Sequence, residues 1–132
     1  MQKSSVTFSA AEIAAGIFKQ LAPSPGVGKV IIPCYIYRNW NDVSLELFSD
    51  SAMYVCYGVQ NMYNLSGIYP LPSDESNRQN KWFTMQNPQS NFDDSGNSFT
   101  IEGLGIQIGT DGSITGGAGS VQFDFYYIIN DL

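Results

Sequence analysis

Pro23, Pro25, Gly26 and Gly28 crowd the stretch from Leu21 to Pro33, and the apolar run Val30-Ile31-Ile32 follows them directly. Proline presets φ and glycine takes positive φ without a Cβ penalty, so Pro25-Gly26 reads as a tight turn. A β-branched run beside a turn reads as a buried strand. The turn is therefore expected to fold an extended segment, Ile17 to Leu21, back toward Val30 to Tyr37. In the second strand, alternation places Ile32, Cys34 and Ile36 on one side and Tyr35 and Tyr37 on the other. Pro33 has no amide to donate, so this strand lies at an edge or bulges there.

The rest of the chain repeats that theme. Val6 to Ser9 reads as a short strand or an extended arm. Ser9-Ala10-Ala11-Glu12 is a capping box, which starts a short helix over Ala10 to Ala15 that Gly16 stops. Val43 to Leu47, Met53 to Tyr57 and Lys81 to Met85 read as strands. Phe99 to Glu102 and Leu104 to Ile108 read as two more, bent at Gly103 and Gly105. Ser73 to Asn80 and Asn87 to Asn97 are polar loops, and Asp111-Gly112 is a hairpin turn signal. In the closing stretch Val121, Phe123, Phe125 and Tyr127 face one way, and Gln122, Asp124 and Tyr126 the other. The sum is an all-β chain. It is expected to form a single jelly-roll-like β-sandwich of about eight strands with one short N-terminal helix. The 132 residues make one domain, 1–132, with 1–8 as a candidate N-terminal arm.

Charge narrows the function classes. Charged residues make up 14% of the chain, against about 25% in an ordinary domain. A polar but uncharged surface suits contacts with proteins or sugars. The net charge is −6, and Lys3, Lys19, Lys29, Arg38, Arg78 and Lys81 are scattered rather than striped. That disfavours nucleic acid and anionic membranes as partners. The start lacks the apolar core of a signal peptide, and no apolar run reaches the ~18 residues of a membrane span. Synthesis in a cytosol is expected, with Cys34 and Cys56 as free thiols. Both lie in expected strands that could face one another, so a bridge stays open.

Catalytic chemistry finds little support. The chain has no histidine, which removes Ser-His-Asp and Cys-His catalysis and the usual zinc sites. Gly26-Val27-Gly28-Lys29 looks like the end of a phosphate-binding loop, but Pro23 and Val30 stand where Gly and Ser or Thr are needed. Asn91, Asp93, Ser95, Gly96 and Glu102 have nearly the spacing of a calcium loop, yet Ser98 takes the apolar position and the flanks read as strand. Glu46 and Glu102 are a conceivable glycosidase pair with nothing to bring them together. The expectation is no catalytic, cofactor or metal residue: not an enzyme. The candidate contact residues are Trp40, Tyr63, Tyr69 and Trp82, in or beside the loops, where aromatics stack on sugars, anchor interfaces or cap a core.

Ser9 to Ile13, Ile17 to Leu21, Ala-Pro-x-Pro-Gly-x-Gly-Lys-Val-Ile from Ala22 onward, and Gly116-Gly117-Ala118-Gly119 before Val121 to Ile129 together carry a resemblance. They resemble small β-sandwich proteins encoded among bacteriophage structural genes. The resemblance covers about half the chain, at its two ends; Trp40 to Ser98 has no counterpart in it. It implies a virion component (capsid-associated, vertex, decoration or fibre) assembled in the host cytoplasm as a trimer or pentamer with other virion proteins. It carries over no catalytic residue. The alternative is a carbohydrate-binding module or receptor-binding tip that holds a glycan through its aromatics.

Overall fold

The computed structural model describes residues 1–40, 53–58, 69–71, 81–84, 101–110 and 119–132. The protein is all-β, with eight described strands and one short helix: β1 (Gln2–Ser9), α1 (Ala10–Ala14), β2 (Lys19–Ala22), β3 (Lys29–Trp40), β4 (Met53–Tyr57), β5 (Tyr69–Leu71), β6 (Lys81–Thr84), β7 (Ile106–Thr110) and β8 (Ser120–Asp131). They form two antiparallel sheets, ordered β1-β8-β3-β6 and β2-β7-β4-β5. The pairing is nested: first strand with last, second with seventh, third with sixth, fourth with fifth.

The two sheets share one core, to which alternation turns one apolar face of β1 and of β8, while β2 and β4 bury consecutive residues. Phe8, Ile31, Ile36, Val121, Phe123, Phe125 and Tyr127 come from the first sheet. Leu21, Ala22, Val55, Tyr57, Ile106 and Ile108 come from the second, and Ile13 of α1 joins them. Phe8 meets Phe123 edge-on at 6.1 Å, and Phe125 stacks on Tyr127 at 5.1 Å. The Tyr57 hydroxyl crosses the core and donates to the Ile31 carbonyl at 2.9 Å.

The turn lies two residues later than expected, at Val27 and Gly28 rather than Pro25 and Gly26, and it does not make a hairpin. Gly26 and Gly28 take φ of +94° and +75°, and the chain passes from β2 in one sheet to β3 in the other. A second turn locks this one: Gly28 N–H donates to Glu102 Oε1 at 2.6 Å, and Gly103 N–H donates to the Lys29 carbonyl at 2.8 Å. Glu102 and Gly103 are therefore a turn, where alternation pointed to a strand ending at Glu102. At Pro33 the register of β3 against β8 slips between Pro33 and Tyr35. β3 is an inner strand of its sheet, so the missing proline donor is absorbed by a bulge. The bulge also turns Ile32 away from the side of Ile36. β3 runs on to Trp40, past the Tyr37 end expected for it. Cys34 and Cys56 stand in different sheets and both are free, and burial pushes the Cys56 thiol up to about 11. Val43 to Leu47 and Asp111-Gly112 lie outside the described residues.

The capping box forms as read: Glu12 N–H donates to Ser9 Oγ at 3.2 Å, and Ser9 N–H donates to Glu12 Oε1 at 3.1 Å. Lys19 ties the box to β2. Its Nζ lies 2.6 Å from Glu12 Oε2 and 2.6 Å from the Thr7 carbonyl. That hydrogen bond from Lys19, followed by the one from the Ser9 backbone, holds the Glu12 carboxyl below its usual range. A five-residue helix cannot stand on propensity, so its cap matters. Ser9→Ala is expected to cost about 1 kcal/mol, measured as a lower urea midpoint at unchanged slope.

Candidate functional site

Among the described residues, exposed rings and polar groups gather on the outer face of the β1-β8-β3-β6 sheet. Opposite the core residues, β3 presents Tyr35 and Tyr37, β8 presents Gln122, Asp124 and Tyr126, and β1 presents Lys3, Ser5 and Thr7. Register sets Tyr35 opposite Tyr126 and Tyr37 opposite Trp82 of β6. The Trp82 ring reaches across β3. It lies 4.7 Å from Tyr37, 6.4 Å from Tyr35 and 5.6 Å from Tyr126, centroid to centroid. Each such ring pair is worth roughly 0.5–1.5 kcal/mol beyond its buried area. Yet Trp82 remains 56% exposed and Tyr35 44%. Met1, Tyr35, Trp82 and Tyr126 line an open apolar depression of about 390 Å³.

A polar network borders the rings. The Lys3 ammonium sits 5.5 Å above the Tyr126 ring and 3.1 Å from Asp124 Oδ2. Ser5 Oγ and Gln122 Nε2 donate to Asp124 Oδ1 at 2.6 and 2.9 Å. Burial alone would raise the Asp124 carboxyl, but hydrogen bonds from Ser5, Gln122 and Lys3 outweigh it and hold the group below its usual range. The same bond to Asp124 holds the Lys3 ammonium above its usual value. Asp124 is thus a charge already answered within its own sheet.

A second hollow, of about 250 Å³, opens between Gln20, Ser24, Leu104, Gly105 and Gln107. Its lining is uncharged. Among the described residues, no group of three or more His, Cys, Asp or Glu could hold a metal ion. Glu102, the last position of the calcium-like spacing, is described; its carboxylate takes the Gly28 amide. The remainder of that loop, and Glu46, lie outside the described residues.

Of the four contact residues expected from sequence, Trp82 is the one whose side chain is described, and it stands on β6, within the strand expected over Lys81 to Met85. Trp40 ends β3 opposite Val121, and Tyr69 begins β5 opposite Val55; both side chains, and all of Tyr63, lie outside the described residues. Sequence reasoning missed Tyr35, Tyr37 and Tyr126 as partners of Trp82. The signal was present, since alternation turned these tyrosines away from the core, but nothing local says that β6, β3 and β8 are neighbours. Comparison with protein-family models, curated proteins and solved structures finds no match to this chain.

Proposed function

We propose that the protein is a structural subunit of a bacteriophage virion, capsid-associated or a vertex, decoration or fibre component, that works through contacts with copies of itself. The observation that carries this reading is the aromatic outer face. Three tyrosine rings gathered around Trp82, with Trp82 and Tyr35 well exposed, have the make-up of an interface centre, and Ser5, Thr7 and Gln122 have that of its polar rim. At the β1 edge one acceptor is already used, because Lys19 holds the Thr7 carbonyl. The nested strand pairing supports the fold-level part of the reading: a ribbon of paired strands rolled into two facing sheets is how an eight-stranded jelly roll is built, and that architecture serves viral capsids and lectins. The resemblance at Leu21 to Pro33 and at the Gly-rich approach to β8 points the same way, toward a protein made in the host cytoplasm and carried in the particle.

The test is absolute mass by light scattering on a sizing column, at several concentrations, for the native chain and Trp82→Ala. The native chain is expected to self-associate. Truncating an interface tryptophan removes about 2 kcal/mol or more, so the variant's dissociation constant should rise about thirtyfold or more. A native chain that is monomeric at every concentration overturns the reading. A second reading keeps the face and changes the partner. Exposed rings beside hydrogen-bonding Lys3, Asp124 and Gln122 also suit a neutral glycan. A monomer that binds a glycan array, and loses the binding in Trp82→Ala, would establish that reading instead.

A further inference from the structure

We infer that residues 1–14, β1 with α1, exchange between two copies of this chain, each copy's segment taking the seat beside the other's β8. The inference rests on the self-association reading above and names a second contact for it, away from the aromatic rings. Among the described residues, the segment joins the rest of the fold through one short crossing, from Ala15 to Phe18. β1 is an outer strand and pairs with β8 alone. It can therefore leave without breaking any other strand pair.

The seat is specific for this segment. Phe8 and Ile13 anchor it, both fully buried. Gln2 to Thr7 are exposed or half-buried, and polar bonds hold them. Lys3 and Ser5 bind Asp124, and Ser4 Oγ donates to the Leu21 carbonyl. Ala10 N–H donates to the Gly119 carbonyl at 3.2 Å, and Lys19 Nζ reaches Glu12 and the Thr7 carbonyl. An empty seat would leave the β8 edge with unpaired backbone groups, a template for another strand. The sequence that refills it in register, with these same bonds, is residues 1–14. A second copy supplies that sequence without any new surface, which is the low-cost route to a dimer.

Gly16 is the hinge. It takes φ of +68°. It closes α1, with Gly16 N–H on the Ile13 carbonyl at 3.0 Å and Ile17 N–H on the Glu12 carbonyl at 3.2 Å. The closed turn sets Lys19 beside the segment of its own copy. The opened turn sends the segment toward another. A residue with a Cβ at position 16 resists the positive φ of the closed turn and so favours the open one.

The experiment places Thr7→Cys and Gln122→Cys, opposite each other on β1 and β8, in a Cys34→Ser chain. The protein is refolded at high concentration. Its associated fraction is isolated on a sizing column, diluted and treated with a short thiol-to-thiol cross-linker. Exchange predicts links between two chains, seen as covalent dimer on a denaturing gel. Trp82→Ala is expected to leave those links in place. Links within single chains, or a ladder of longer species, overturn the inference and leave the self-association reading standing. A protein with no associated fraction at any concentration overturns both. Gly16→Ala, followed by light scattering, should raise the dimer association constant about thirtyfold, because two hinges are relieved of a left-handed φ. An association constant that is unchanged or lower also overturns the inference.

Discussion

Phe125→Ala is expected to lower the free energy of unfolding by about 3–5 kcal/mol. Phe125 is fully buried on β8, the strand between β1 and β3. Its backbone pairs with Ser4 on one side and Ile36 on the other, and its ring stacks on Tyr127. Truncation removes the transfer energy of a whole ring and leaves a cavity at the centre of one sheet. Strands on both sides hold the backbone in place, so the site cannot collapse to fill it. Domains of this size are stable by only about 5–15 kcal/mol, so the variant should be close to unfolding at physiological temperature. Urea unfolding followed by tryptophan fluorescence measures the loss. A loss under about 1 kcal/mol would mean that the two sheets do not share the core described above. Trp82→Ala supplies the contrast. Its ring is 56% exposed and its removal leaves no enclosed cavity, so the loss is confined to its contacts with Tyr35, Tyr37 and Tyr126 and should be smaller than that of Phe125→Ala.

Gly105→Ala is expected to cost about 1–3 kcal/mol by overpacking, although glycine to alanine ordinarily favours order. A Cβ at residue 105 would stand 2.7 Å from the Ala22 carbonyl oxygen and 3.1 Å from the Ser24 amide nitrogen. Both are backbone atoms and cannot rotate away. The surroundings are tied down as well: Gly58 N–H donates to the Gly105 carbonyl at 2.9 Å, and Ser24 Oγ donates to the Gly103 carbonyl. The strain would fall where β2 leaves its sheet for the crossing to β3. Gly26→Ala is the control. Its Cβ would meet nothing within 4 Å, and its cost is confined to the φ of +94°, about 1–2 kcal/mol. If both variants cost the same, close approach at Gly105 is not what shapes that turn.

The aromatic face shows how far a local pattern carries. Alternation along Val121 to Tyr127 assigns every side chain of β8 to its face, and the structure follows that assignment: Val121, Phe123, Phe125 and Tyr127 are buried. Alternation failed in β3 at one point, because Pro33 is accommodated by a bulge and a bulge reverses the faces beyond it. It also could not separate a turn from a strand at Glu102, where the carboxylate is held by the amide of Gly28 from a distant part of the chain.

What the sequence by itself determined is everything with a short range. Turn chemistry at Pro25 to Gly28, the capping box at Ser9 and Glu12, the all-β class and the two faces of β8 each depend on a few neighbouring residues and their dihedral preferences. Only the tertiary structure decided which strands lie side by side, and so which sheet each belongs to. Tight turns looked like hairpins in the sequence, yet the stretch from Pro23 to Gly28, with its turn at Val27-Gly28, carries the chain from one sheet to the other. The candidate site exists for that reason alone. Trp82 meets Tyr37 because β6 pairs with β3, and meets Tyr126 because β8 flanks β3 on its other side. Strand neighbours are selected by the burial of one shared core, a sum over the whole chain that no local window contains.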